Sequence, residues 1–228
     1  MVLLSRCGST AAVRVGDHEE SVKKKEEKKH KNDTICFSSC SCKSLTVWRK
    51  SLLFTCNGFT VFDSAGNLVY RVDNYRGDRT DDIVLMDASG KPLLTLRRKK
   101  RRFVDNWLVF EGEGEERDGK QNKKPIYWVR KHVNLLLQRN PDVVAQVFRG
   151  SETLEKGNAA FVIQGSYERR SCQVVDGLSR EVVAEIKRKD ASIRGICFGL
   201  DVFHLIVGSG LDPTFAMSLV LLLDQMFT

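Results

Sequence analysis

The chain has 228 residues, 42% of them hydrophobic, enough for one large domain or two small ones with a sizeable core. Its net charge of +8 invites an anionic partner, but six cations form the run Arg97-Arg98-Lys99-Lys100-Arg101-Arg102, and without those six the balance falls to +2. The basicity is therefore local, and the odd count of seven cysteines excludes a fully paired disulfide framework.

At the amino terminus the apolar run is only Val2-Leu3-Leu4 and the second residue is valine, so neither a secretory signal nor N-myristoylation is expected. The expected location is intracellular and not secreted: the cytoplasm, with peripheral plasma membrane or nucleus as alternatives. Thiols stay reduced in such compartments. The stretch Lys23 to Lys31 is charged on every side, so residues 1–43 read as a disordered charged tail and 44–228 as the folded domain. Cys36, Cys40 and Cys42 lie in a small, polar linker. They read as free thiols, as acylation sites, or as metal ligands with His30 or Cys56. Structural zinc needs four ligands in two spaced pairs, which this spacing does not offer, so no metal site is expected.

From Leu45 onward a strand–turn–strand unit recurs: Thr60 to Val72, Ile83 to Leu96 and Cys172 to Ile186. In each unit an aspartate (Asp63, Asp87, Asp176) opens a tight turn by accepting from its own backbone, and in the first two a glycine supplies positive φ. The flanks alternate in polarity, as half-buried strands do. Further strands are expected over Phe103–Phe110, Ile126–Arg130, Val143–Phe148, Ala160–Gln164 and Val202–Val207, with a long exposed loop over Gly112–Lys124. Trp48, Trp107 and Trp128, spaced along strands, are expected to line the core.

The last element is a helix over 212–227, capped by Asp212 with Pro213 at its first position. Apolar residues cover nearly its whole circumference, so it must be surrounded. Ser218, Asp224 and Gln225 interrupt a run already shorter than the roughly 20 apolar residues a membrane span needs. Many short strands and one lone apolar helix predict a mainly β fold: a closed antiparallel β-barrel around a hydrophobic C-terminal α-helix.

Two sets of residues carry a family resemblance. One is Leu94-Thr95-Leu96-Arg97-Arg98-Lys99 followed by Asp105-Asn106-Trp107-Leu108-Val109-Phe110. The other is Phe203-His204-Leu205-Ile206-Val207, then Gly210-Leu211-Asp212, then Leu219 to Gln225. Together they resemble the plant LURP-one-related proteins, of the tubby C-terminal-like group that also includes phospholipid scramblases. Ser209 stands where that family usually has proline, a difference confined to a turn. The resemblance covers Leu45 to the C-terminus and implies a barrel threaded by the helix. It implies function only by analogy, since tubby domains bind phosphoinositides and scramblases are membrane proteins.

Arg97, Arg98, Lys99, Lys100, Arg101 and Arg102 are the candidate anionic-lipid site, read as a turn projecting six charges into solvent. The same run also reads as a solvated turn, or as a nuclear import signal. Nucleic acid is the poorer fit, because Phe103 is the single adjacent aromatic. A calcium loop read from Asp201 would place Phe203 and Leu205 at ligand positions, which excludes it. The sequence has no nucleophile elbow, phosphate loop or H-E-x-x-H motif, and His204 lies between two apolar residues. The expectation is a non-enzymatic binding or membrane-tethering module without a cofactor, favouring anionic phospholipid or phosphoinositide. The first alternative is a nuclear, transcription-linked or defence-linked interaction protein. A small-molecule enzyme or carrier is the second, disfavoured because the helix should fill the barrel.

Overall fold

A computed structural model describes residues 42–53, 57–73, 82–100, 105–113, 123–132, 142–150, 158–189 and 199–227. The predicted tail therefore lies outside the described residues, apart from Cys42 and Lys43. So do most of the loop over 112–124 and Arg101 to Val104 of the basic run and its flank.

The strands, in chain order, are β1 (Lys43–Trp48), β2 (Phe59–Phe62), β3 (Leu68–Val72), β4 (Asp82–Asp87), β5 (Pro92–Lys99) and β6 (Asn106–Glu111). They continue as β7 (Tyr127–Lys131), β8 (Val143–Arg149), β9 (Phe161–Ser166), β10 (Ser171–Asp176), β11 (Val182–Arg188) and β12 (Val202–Val207). Each pairs antiparallel with its sequence neighbours, and β1 pairs with β12 from Lys43↔Val207 to Trp48↔Val202, closing the barrel. The helix α1 (Pro213–Phe227) follows β12 and shares one hydrophobic core with the strands' inner faces. The fold is the closed barrel with a central helix that the alternation and the apolar last segment predict.

Strand periodicity sets the two faces. In β12, Phe203, Leu205 and Val207 are buried in the core, while Val202, His204 and Ile206 are half-buried on the outside. The tryptophans obey the same rule, and only one meets expectation fully. Trp107 is in the core. Trp128 is buried, but its neighbours Tyr127 and Val129 take the inward positions, so it stacks at 4.2 Å on Phe148 on the barrel's outer side. Trp48 follows core-facing Val47 and is exposed.

Three hairpins carry the predicted aspartate turns. Asp63 Oδ1 accepts from the Ala65 and Asn67 amides, Asp87 Oδ1 from Ser89 and Lys91, and Asp176 Oδ1 from Leu178 and Ser179. These bonds hold all three carboxyls below the usual carboxylate range, led by the Asn67 side chain at Asp63, the Ser89 hydroxyl at Asp87 and the Ser179 amide at Asp176. Gly66 (φ 85°) and Gly90 (φ 92°) supply positive φ in the first two turns, whereas Arg180 (φ 62°) does so in the third.

The helix starts where Asp212 Oδ2 accepts from the Phe215 amide at 2.7 Å. Phe215 stacks on Tyr127 with 4.0 Å between ring centres. Every residue from Phe215 to Asp224 is buried, and Ser218 satisfies its hydroxyl on the Phe215 carbonyl at 2.7 Å.

Leu222→Asp is expected to abolish cooperative folding, because an unpaired buried charge costs several kcal/mol against a total stability of about 5–15. Circular dichroism and solubility of the variant check this. Arg180→Gly is expected to be neutral to about 1 kcal/mol stabilising in urea unfolding, since it removes the left-handed penalty at an exposed turn.

Candidate functional site

Because the strands alternate in direction, the barrel has two distinct ends. The aspartate hairpins join β2 to β3, β4 to β5 and β10 to β11 at one end, where α1 begins. The chain leaving β1, β3, β5, β7, β9 and β11 turns at the other end, where α1 finishes. The basic run belongs to this second end.

Its geometry differs from the turn that its composition suggests. Arg97, Arg98 and Lys99 are strand residues, because the β5–β6 ladder continues through Arg97↔Leu108, Arg98↔Trp107 and Lys99↔Asn106. Successive side chains therefore point to opposite faces. Arg97 is half-buried, lies over the Phe110 ring, and donates through Nε and Nη2 to the two carboxylate oxygens of Asp82 at 2.8 and 2.6 Å. Arg98 lies over the Trp107 ring and pairs with Asp105 through its Nε at 2.7 Å. Lys99 and Lys100 are exposed, and Arg101 and Arg102 lie outside the described residues. Two of the six charges thus already face carboxylates, so the run is not a uniform cationic knob.

The same end holds a buried polar cluster. Asp224, fully shielded from water, receives Arg49 Nε at 3.0 Å and the Tyr167 hydroxyl at 3.1 Å. Arg49 stands just past β1 and Tyr167 in the β9–β10 turn, so the cluster ties helix to barrel on two sides. Arg170 (φ 53°) is buried beside it. It donates through Nε to the Leu200 carbonyl at 2.9 Å and lies over the rings of Tyr167 and Phe203. Burial pushes the Tyr167 hydroxyl far up, and the charge on Asp224 adds to the rise. The hydroxyl is accordingly a fixed donor at neutral pH. Lys131, the last residue of β7, donates to the Met226 carbonyl at 2.6 Å and sits over the Phe227 ring. It caps a helix that has no basic residue in its own last turn.

Of this cluster, sequence reasoning registers Asp224 as an interruption of an apolar run and as part of the family's closing signature, without a partner for it. A lone carboxylate on an otherwise apolar helix is the available signal that a cation awaits it. Its partner lies 175 positions away and carries no local mark.

The other candidates are simpler. Cys42 is exposed, and Cys36 and Cys40 lie outside the described residues. Cys172 is buried, and burial pushes its thiol up to about 12, which leaves it protonated and unreactive at neutral pH. Among the described residues, no group of three His, Cys, Asp or Glu side chains is placed to hold a metal ion. No described helix is long and apolar enough to cross a membrane.

The family model described as LURP-one-related matches residues 43–224, from the first strand to the buried aspartate of α1. The chain belongs to the LURP-one-related family. Protein LURP-one-related 17 of Arabidopsis thaliana is 45% identical over 190 residues, covering 82% of this chain and 85% of that protein. LURP-one-related 8 of the same plant is 47% identical over 196 residues, covering 86% and 92%. A solved X-ray structure of an Arabidopsis thaliana protein aligns with a TM-score of 0.57 at 25% identity, covering 83% of this chain and 94% of that one. The LURP-one-related match thus spans the barrel and helix as one unit.

Arg49→Ala is expected to destabilise the domain by about 3 kcal/mol, because it leaves the Asp224 carboxylate buried without its cation. Adding Asp224→Leu should recover most of that loss. Urea unfolding of the single and double variants checks both; a double variant as weak as the single would show that the orphaned charge is not the cause.

Proposed function

We propose that this LURP-one-related protein is a non-enzymatic binding module that tethers to anionic phospholipid, phosphoinositides included, through the barrel end at which α1 finishes. The observation that carries this reading is the placement of charge. Lys50, Lys99, Lys100 and Arg188 are exposed at that one end, around the mouth where Arg49, Arg98, Arg170 and Lys131 gather. The resemblance to tubby-like and scramblase proteins, whose relatives meet lipids, points the same way by analogy. The helix fills the space that a barrel-bound small molecule would need, which argues against a carrier. The proposed setting is intracellular, at the cytoplasmic face of the plasma membrane, where anionic lipids concentrate.

Lysines near an anionic leaflet contribute roughly 1 kcal/mol each, falling off over a Debye length of about 8 Å at physiological ionic strength. Lys99→Gln with Lys100→Gln should therefore weaken binding to phosphatidylserine-containing vesicles by about 2 kcal/mol, roughly thirty-fold, at low salt. The thermal midpoint should stay unchanged, because both side chains are exposed. Co-sedimentation at two salt concentrations, with neutral vesicles as control, measures this. Wild type that ignores anionic vesicles at low salt overturns the tether. If the same variant then loses nuclear entry in cells, the run is an import signal and the nuclear reading replaces it.

A further inference from the structure

Six large hydrophobic side chains are prominently exposed among the described residues: Trp48, Leu52, Leu53, Ile126, Leu178 and Leu200. Ile126 and Leu178 stand apart from each other at the aspartate-hairpin end. The remaining four belong to one stretch of the opposite rim. Trp48 pairs with Val202 across the β1–β12 seam, and the Arg49 amide donates to the Asp201 carbonyl at 2.8 Å, which brings Leu200 beside the end of β1. Ser51 anchors the following segment: its Oγ donates to Asp73 at 3.1 Å and accepts from the Leu53 amide at 3.0 Å. Leu52 and Leu53 are thus held outward by a buried serine rather than left to turn inward. Four apolar side chains therefore share a single braced segment of rim.

Among the described residues, the charge beside them is mainly positive. Lys50 Nζ lies 5.5 Å from the centre of the Trp48 ring. Arg188 pairs with Phe203, one strand from the seam, and is exposed. Lys99 and Lys100 stand on the same rim beyond β3 and β4. Among the described residues, Asp73, Asp82 and Asp105 each face an arginine of their own, while exposed Asp201 shares Arg49 at 4.0 Å with Asp224 and leaves one negative charge beside Leu200. Exposed Glu168 lies in the β9–β10 turn, which Arg170 ties to Leu200, and Asp142 stands before β8, as many strands from the seam as Lys99 on the other side. The hairpin carboxylates Asp63, Asp87 and Asp176 occupy the far end of the barrel.

We infer that the barrel docks end-on, inserting Trp48, Leu52, Leu53 and Leu200 into the interfacial zone of an anionic bilayer while Lys50, Lys99, Lys100 and Arg188 meet its headgroups. The inference rests on the lipid tether and adds an apolar anchor and an orientation. Apolar side chains flanked by cations are the combination that partitions into a charged interface, and tryptophan favours that depth. A headgroup pocket alone would have no use for leucines turned to solvent by a buried hydrogen bond. In this pose the helix points away from the membrane surface, its C-terminal end nearest the lipid and the hairpin carboxylates farthest away.

All three tryptophans of the chain are described, and of these only Trp48 is exposed, so intrinsic fluorescence reports on the anchor. The full chain would be titrated with phosphatidylserine vesicles containing lipids brominated in the acyl chains. Expected are a blue shift and quenching on binding, both abolished by Trp48→Phe. Leu52→Ser with Leu53→Ser should bind at least tenfold more weakly with an unchanged salt dependence and an unchanged thermal midpoint. Lys99→Gln with Lys100→Gln should flatten the salt dependence yet quench fully once bound. Wild type that sediments with anionic vesicles but shows no quenching, or a leucine variant that binds as well as wild type, overturns the anchor and leaves the tether standing. Wild type that fails to bind anionic vesicles at all overturns both.

Discussion

Everything in this fold answers to a fifteen-residue helix that water cannot be allowed to reach. With side chains an α-helix is about 10–12 Å across, whereas an eight-stranded barrel has room only for its own inward side chains. Twelve strands open the ring far enough to admit the helix and still bring inner-face residues into contact with it. Each fully buried leucine or phenylalanine contributes about 1.5–3 kcal/mol, so the apolar helix supplies much of the reason for the barrel to close. The sheet in turn satisfies its own backbone by closure and leaves no edge to aggregate.

A helix threaded through a barrel leaves its final carbonyls at a mouth, and this one adds a buried carboxylate one turn earlier. Both call for positive charge. The barrel supplies it from distant parts of the chain: Arg49 after β1, Lys131 at the end of β7, and Arg170 holding the β9–β10 turn against Leu200. Part of the basicity at this end is thus structural and already matched to partners. The exposed lysines and Arg188 stand around that matched centre.

The sequence states the architecture more clearly than the chemistry. Alternation in segments such as Val202–Val207 reads directly as strand, and the boundaries of β12 coincide with the expected ones. Asp63, Asp87 and Asp176 announce their turns through local hydrogen bonds, which is why those turns are legible. The third turn shows the limit of such reading, since nothing marks Arg180 as its left-handed residue. The basic run is the more instructive case. Six adjacent cations look like a turn by composition, yet three of them extend a ladder whose other rail, Asn106 to Leu108, is a dozen residues away at most. Pairing decides strand length, and pairing is not written at the position itself. The Arg49–Asp224 link is illegible for the same reason, at far greater separation.

The order of the chain has a consequence for its synthesis. Strand β1 is made first among the strands and its seam partner β12 last, while the segment that fills the interior follows even β12. Until α1 exists, twelve strands' worth of valine, leucine and isoleucine have nothing to enclose, and two unpaired edges stand open at β1 and β12. Pairings so distant in sequence form slowly, and incomplete sheets of this kind aggregate readily. The nascent chain is therefore most dependent on chaperones just before α1 is made, and a chain cut short before Pro213 loses its interior, not its margin.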